Sequence, residues 1–186
     1  TLSGLQNDVD RIESKVLCSE EELKVTIALA SETICNFLNY FLLPDYNRET
    51  GRIFDGAFLW FILSLKDFNE DVNIGLINIS REDVEKFKLD IKNLIADEKR
   101  FIWMEYKYPY ILKLLERDKT VLKTYPLKIK LFWVPGYFLT IYRMIRIKEN
   151  GFQFGIKVNN EGVKKIIVFA KTIILYINFN IGVFIK

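Results

Sequence analysis

The sequence has no histidine among its 186 residues. That excludes His-based catalytic triads, His-ligated zinc and haem held by a histidine. Cysteine is scarce as well: Cys18 and Cys35 are too few to staple a fold and lack the CxxC spacing of a redox or zinc motif. Both are expected to be reduced residues in helices. GxxxxGK[S/T], GxGxxG and GxSxG are all absent, so no phosphate-cradling loop or nucleophile elbow announces itself. With four prolines and nine glycines there is no low-complexity linker, and no internal repeat is visible. No charged stretch followed by an apolar run opens the chain, so no signal peptide is expected and the setting is read as intracellular and cytoplasmic. What the sequence does have is apolar mass. Half its residues are hydrophobic and 15% aromatic, enough to offset the entropy of ordering. A chain of this length should bury about 70% of the surface its unfolded form exposes.

The first 120 residues read as helical. Leu5, Val9, Ile12 and Val16 recur at helical steps, with Arg11 among the polar residues of the opposite face. Ser19 and Glu22 form a capping box, and three acids in the first turn suit the positive end of the helix dipole. That helix is expected to run to about Leu43, burying Ile27, Ala30, Ile34, Leu38 and Phe41, with Pro44 as its stop. Ala57 to Leu65 is almost wholly apolar but too short to span a bilayer, which predicts a central covered helix. Val72, Ile74 and Leu76 suggest a short strand. Ser80, with Asp83 three residues on, caps a further helix. Residues 101–108 read as a strand or extended link, and Pro109 as the first position of the helix that follows.

After Pro126 the pattern changes. Leu127, Ile129, Leu131 and Trp133 alternate with Lys128, Lys130 and Phe132, which is a strand period. Pro135-Gly136 reads as a turn. Asn150-Gly151 reads as a hairpin turn joining about 141–149 to 152–158. Further apolar runs follow at 163–169, 172–179 and 182–185. The expected fold class is therefore α+β: a helical domain over 1–120, then a small antiparallel β domain over 121–186. A helical body followed by a small β module is similar in outline to the GINS replication accessory subunits.

Charge divides along the same line. Residues 1–120 carry 16 basic and 22 acidic side chains; residues 121–186 carry 11 basic and 2 acidic, a net +9. A basic third of this kind either meets a polyanion or an acidic partner, or neutralises the acidic helices across an internal interface. Lys128, Lys130, Arg143, Arg146, Lys148, Lys164 and Lys165 are the candidate nucleic-acid-binding residues, with Lys157 in the same stretch. They are interleaved with Trp133, Tyr137, Tyr142, Phe152 and Phe154 as rings for stacking. On a strand, Lys128 and Lys130 would share a face and Arg143 and Arg146 could not.

Two other constellations carry chemistry. Glu105-Tyr106-Lys107, with Asp55 before it and Glu32 on an earlier helix, resembles the metal-dependent PD-(D/E)xK nucleases. That resemblance implies two carboxylates on Mg²⁺ and a lysine orienting water. Ile166 to Ile185 has the length of a membrane span, but Lys171, Asn178 and Asn180 interrupt it and β-branched residues favour strands. The leading expectation is a non-enzymatic accessory protein or subunit that binds nucleic acid through its basic β part, within a protein complex, without cofactor, metal or membrane. The alternatives are a protein–protein adaptor, including a viral one, a metal-dependent nuclease, and a membrane-attached factor.

Overall fold

The structure, a computed structural model, describes residues 2–14, 16–42 and 56–155. In chain order the helices are α1 (Leu2–Ser14), α2 (Glu20–Leu42), α3 (Ala57–Lys66), α4 (Phe68–Ile74), α5 (Arg81–Phe87), a 3₁₀ turn (Ile91–Asn93), α6 (Lys99–Thr124) and α7 (Leu127–Glu149). The described residues contain no β-strand, so the α+β expectation is overturned. The segment at 72–76 ends a helix, 101–108 lies within α6, and 127–149 is one long helix where an antiparallel sheet was expected. The later apolar runs, from 163 on, lie outside the described residues.

The centre of the fold is α3. Its apolar run has almost no polar side to give to water, so other helices enclose it: α2, α6 and α7 all pack against it, and α4 follows from its end. Phe58 and Ile62 are fully buried, with Ala57, Phe61 and Leu65 beside them, while Leu63 reaches the surface. Fully burying a side chain of the Phe or Ile kind contributes about 1.5–3 kcal/mol. The enclosing helices return Met104, Ile111 and Leu122 from α6, and Ile129, Tyr137 and Met144 from α7.

The strand reading of 127–133 fails for a definite reason. Over seven residues, alternation fits a helix with apolar residues on several sides as well as it fits a strand. The buried set on α7 is Ile129, Trp133, Val134, Tyr137, Thr140 and Met144, whose spacing is helical. Pro109 and Pro135 both lie inside helices. Each is exposed, on the outer side of its helix, and each removes one i to i−4 backbone donor from it.

Asn150-Gly151 ends α7 and turns no hairpin. The Phe152 N–H donates to the Ile147 carbonyl at 2.8 Å and the Gly151 N–H to the Lys148 carbonyl at 3.1 Å, with Gly151 at φ +66°. This is a Schellman cap. Positive φ at the glycine is common to both motifs, which is why the dipeptide alone does not separate them. The chain then folds back, and Phe154 is buried edge-on to Phe68 at 4.8 Å. The Arg100 guanidinium lies 4.7 Å from the Phe101 ring and 5.7 Å from Phe154.

The N-terminal half holds more of the sequence reading. Ser19 and Glu22 make the reciprocal capping box: Ser19 Oγ accepts from the Glu22 N–H at 3.2 Å, and Glu22 Oε2 accepts from the Ser19 N–H at 2.7 Å. Ser80 caps α5 by accepting from the Asp83 N–H. Cys18 and Cys35 are buried free thiols, Cys18 in the link before α2 rather than in a helix. Arg11, expected on a polar face, is buried instead and donates to the Ile77 carbonyl at 2.7 Å and to Asn78 Oδ1 at 3.0 Å. The far half of α2 turns a different face inward from the one expected. Ser31, Cys35 and Asn39 are buried there, and Asn39 Oδ1 accepts from Trp133 Nε1 at 2.8 Å. Ile34 and Phe41 face outward.

Two glycine substitutions test this description. Gly136→Ala is expected to raise stability by about 0.5–1 kcal/mol, since helical backbone costs alanine less entropy and an added Cβ would meet nothing within 4 Å. Gly151→Ala should lower it by about 1–2 kcal/mol, because the left-handed conformation is strained with a Cβ. Denaturant unfolding reads both, and a destabilising Gly136→Ala would return Pro135-Gly136 to a turn.

Candidate functional site

The candidate basic residues lie on helix α7 or outside the described residues, and this reverses their pairing. Lys128 and Lys130 are about 200° apart around the helix, whereas Arg143 and Arg146 are one turn and about 60° apart, on one face. Arg146 pairs with Glu149 in its own helix at 2.8 Å. Lys148 lies near the edge facing α6, its Nζ 5.6 Å from the Tyr108 ring centroid. Lys157, Lys164 and Lys165 lie outside the described residues. Among the rings expected to stack on bases, Trp133, Tyr137 and Phe154 are core residues, and Phe152 packs on Tyr108 at 5.4 Å. Phe132 and Leu139 are exposed on the face of α7 that carries Arg143 and Arg146.

The nuclease constellation is dispersed. Glu105 is exposed on α6, and Lys107, two residues on, is turned about 200° away into the protein. Asp55 lies outside the described residues. Among the described residues no three potential metal-ligating side chains converge.

Lys107 has another engagement. Its Nζ lies 2.7 Å from Asp83 Oδ2, which also accepts from Trp103 Nε1 at 2.9 Å. The side chains of Lys107 and Asp83 are 13% and 9% exposed. Glu20 stands at the rim, 3.9 Å from the same ammonium. The Ser80 cap holds Asp83 in place, and Leu23, Ile27, Phe61, Asn78 and Tyr110 wall a cavity of about 20 Å³, room for about one water. The cluster joins the start of α2 to α5 and α6. With its ammonium committed to a buried carboxylate, Lys107 acts as a structural cation, and the chemistry available here is charge neutralisation and positioning. The sequence pointed to Lys107 through the wrong partner; Asp83, three residues after a capping serine, was legible only as a helix start.

Titration is perturbed at a few places. Hydrogen bonds from Ser19 hold the Glu22 carboxyl below its ordinary range. Burial, then the nearby carboxylates of Asp118 and Glu116, push the Tyr137 phenol far above its own. Its hydroxyl donates to the Leu115 carbonyl. No protein-family model matches the chain, and no curated protein matches its sequence.

Two outcomes are expected. Lys107→Met should cost about 3–5 kcal/mol in denaturant unfolding, because it strands a buried carboxylate; a cost below about 1 kcal/mol would mean the pair is solvated. For Tyr137, the native state keeps the phenol neutral while the unfolded chain ionises near pH 10, so stability falls as pH rises above about 10. Tyr137→Phe should make that alkaline decline shallower, measured by unfolding midpoints between about pH 8 and 11.

Proposed function

We propose that the protein is a binding protein, not an enzyme, that engages nucleic acid through the helical hairpin of α6 and α7. One observation carries this reading: charge is segregated by helix. Residues 1–98 carry 10 basic and 19 acidic side chains, a net −9. Residues 99–155, which make α6, α7 and the turn after them, carry 12 basic and 4 acidic, a net +8. Lys119 pairs with Glu116 and Arg146 with Glu149 inside their own helices, so those bridges do not spend basic charge on the acidic half. Lys107 does cross, to Asp83 and Glu20. A helix surface with cations one turn apart suits phosphate oxygens, which position a nucleic acid without reading its sequence. Burial of Trp133, Tyr137 and Phe154 favours backbone contact over base stacking. No described helix is long and apolar enough to cross a membrane, and 166–185 lies outside the described residues.

Fluorescence anisotropy with labelled single-stranded DNA and RNA tests the proposal. Affinity should fall steeply with salt as counterions are released. Arg143→Gln with Arg146→Gln should weaken binding to both probes and lower the salt slope by about 2. No binding by the wild type at low salt would end the reading; unchanged binding in the double variant would move it off this face.

A further inference from the structure

The outer face of α7 carries a narrow stripe in which rings, bare backbone and cations follow one another. At about 100° per residue, Phe132, Pro135, Gly136, Leu139, Arg143 and Arg146 fall within an arc of about 100°. Phe132 and Leu139 are 46% and 40% exposed, and Pro135 and Gly136 are exposed beside them. By register Lys128 falls on the same arc, so the stripe begins and ends on basic residues. The one acidic residue of α7, Glu149, lies outside it. Arg146 bridges to Glu149 at 2.8 Å as an exposed pair, of the weakly held kind from which a phosphate can take the guanidinium.

Gly136 is the informative residue. Proline and glycine are the two poorest helix formers, yet they stand side by side within a 23-residue helix. The fold does not ask for the glycine: a Cβ there would meet nothing within 4 Å, and its φ is not positive. What it leaves is bare backbone on the outer surface, open to close approach from outside. We infer that the stripe is a track for an unpaired nucleic-acid strand. A base stacks on Phe132, the strand passes close over Gly136 and Leu139, and phosphates meet Arg143 and Arg146. The inference rests on the nucleic-acid reading above and specifies its substrate, a single strand in preference to a duplex.

The chemistry of the stripe fits that occupant. Trp133 holds the Phe132 ring edge to face at 5.2 Å, with the planes at 89°, so the ring is preset and little ordering is lost when a base stacks on it. Every base has a π-face, which makes such stacking tolerant of sequence. A duplex keeps those faces stacked on one another and would meet the stripe through its phosphates alone, leaving Phe132 and Leu139 without a partner. Phe132 and Arg146 are about 21 Å apart along the axis at 1.5 Å per residue. That is the length of about six nucleotides at the stacked spacing of 3.4 Å.

The test is anisotropy of the full chain at low salt, with labelled oligo-dT alone and annealed to its complement. The single strand should bind more tightly. Phe132→Leu keeps apolar bulk and removes the π-face. It should weaken single-strand binding roughly 5- to 100-fold, with duplex affinity and the salt slope unchanged because no cation is lost. Phe132→Trp should bind at least as well as the wild type. Gly136→Leu puts a good helix former into open space, so the unfolding midpoint should hold or rise while single-strand binding falls, a separation that a merely structural glycine would not give. Binding of neither probe would end this inference together with the nucleic-acid reading. Suppose instead that Arg143→Gln with Arg146→Gln weakens binding, but the two probes bind alike and Phe132→Leu changes nothing. The nucleic-acid reading then stands and the single-strand track is overturned. Unchanged binding by Gly136→Leu, or a lowered midpoint, would likewise overturn the track.

Discussion

The burial of α3 is the constraint on which the rest of the structure depends. A ten-residue helix with almost no polar face cannot sit at a surface, and it is too short to leave water for a bilayer. It must be surrounded, and three long helices do so. The need to enclose it governs how they are laid out. Each of α2, α6 and α7 lays a buried stripe along α3; of the shorter helices, α4 packs on α3 itself, α1 on α2, and α5 on α2 and α6. Phe58 touches Tyr137 edge-on at 5.6 Å, and Phe61 touches Tyr110 at 6.4 Å, so the core is joined through aromatic contacts as well as aliphatic ones.

Where polar groups enter this core they act as joints. Arg11 fixes α1 to the link before α5 through a backbone carbonyl and Asn78. Asp83 gathers Lys107 and Trp103 from α6 onto α5. Asn39 takes the Trp133 indole N–H and so sets α2 against α7. Each joint binds two segments distant in sequence at one definite register. Apolar packing alone constrains register less, because a helix can slide in an apolar groove at small cost; a buried donor that loses its acceptor costs about 1–3 kcal/mol.

Local chemistry was legible in the sequence wherever a motif satisfies itself within a few residues. The Ser19–Glu22 box, the Ser80 cap and the apolar helix at 57–66 are of this kind. The motif at Asn150-Gly151 was legible as a positive-φ site and not as a helix end, since a hairpin turn and a Schellman cap ask the same of the glycine. Alternation at 127–133 was ambiguous for the same reason of short range. Of the candidate site, the charge of the C-terminal half could be counted, but its faces could not be drawn: a strand pairs Lys128 with Lys130, a helix pairs Arg143 with Arg146.

By itself, then, the sequence determined what depends on composition and on contacts within a turn: an apolar core, helix starts, the segregation of charge, and the exclusion of histidine chemistry. Tertiary structure decided which of two possible apolar faces of α2 turns inward, because Asn39 finds its partner on α7, ninety-four residues away. It decided that Lys107 faces Asp83 and not Glu105, because the neighbour along the chain lies on the other side of the helix. It also decided that residues 127–149 are helical, because a continuous helix can lay Ile129, Trp133, Tyr137 and Met144 against α3 and its neighbours, a fit set by the shape of the core and visible in no short window of sequence.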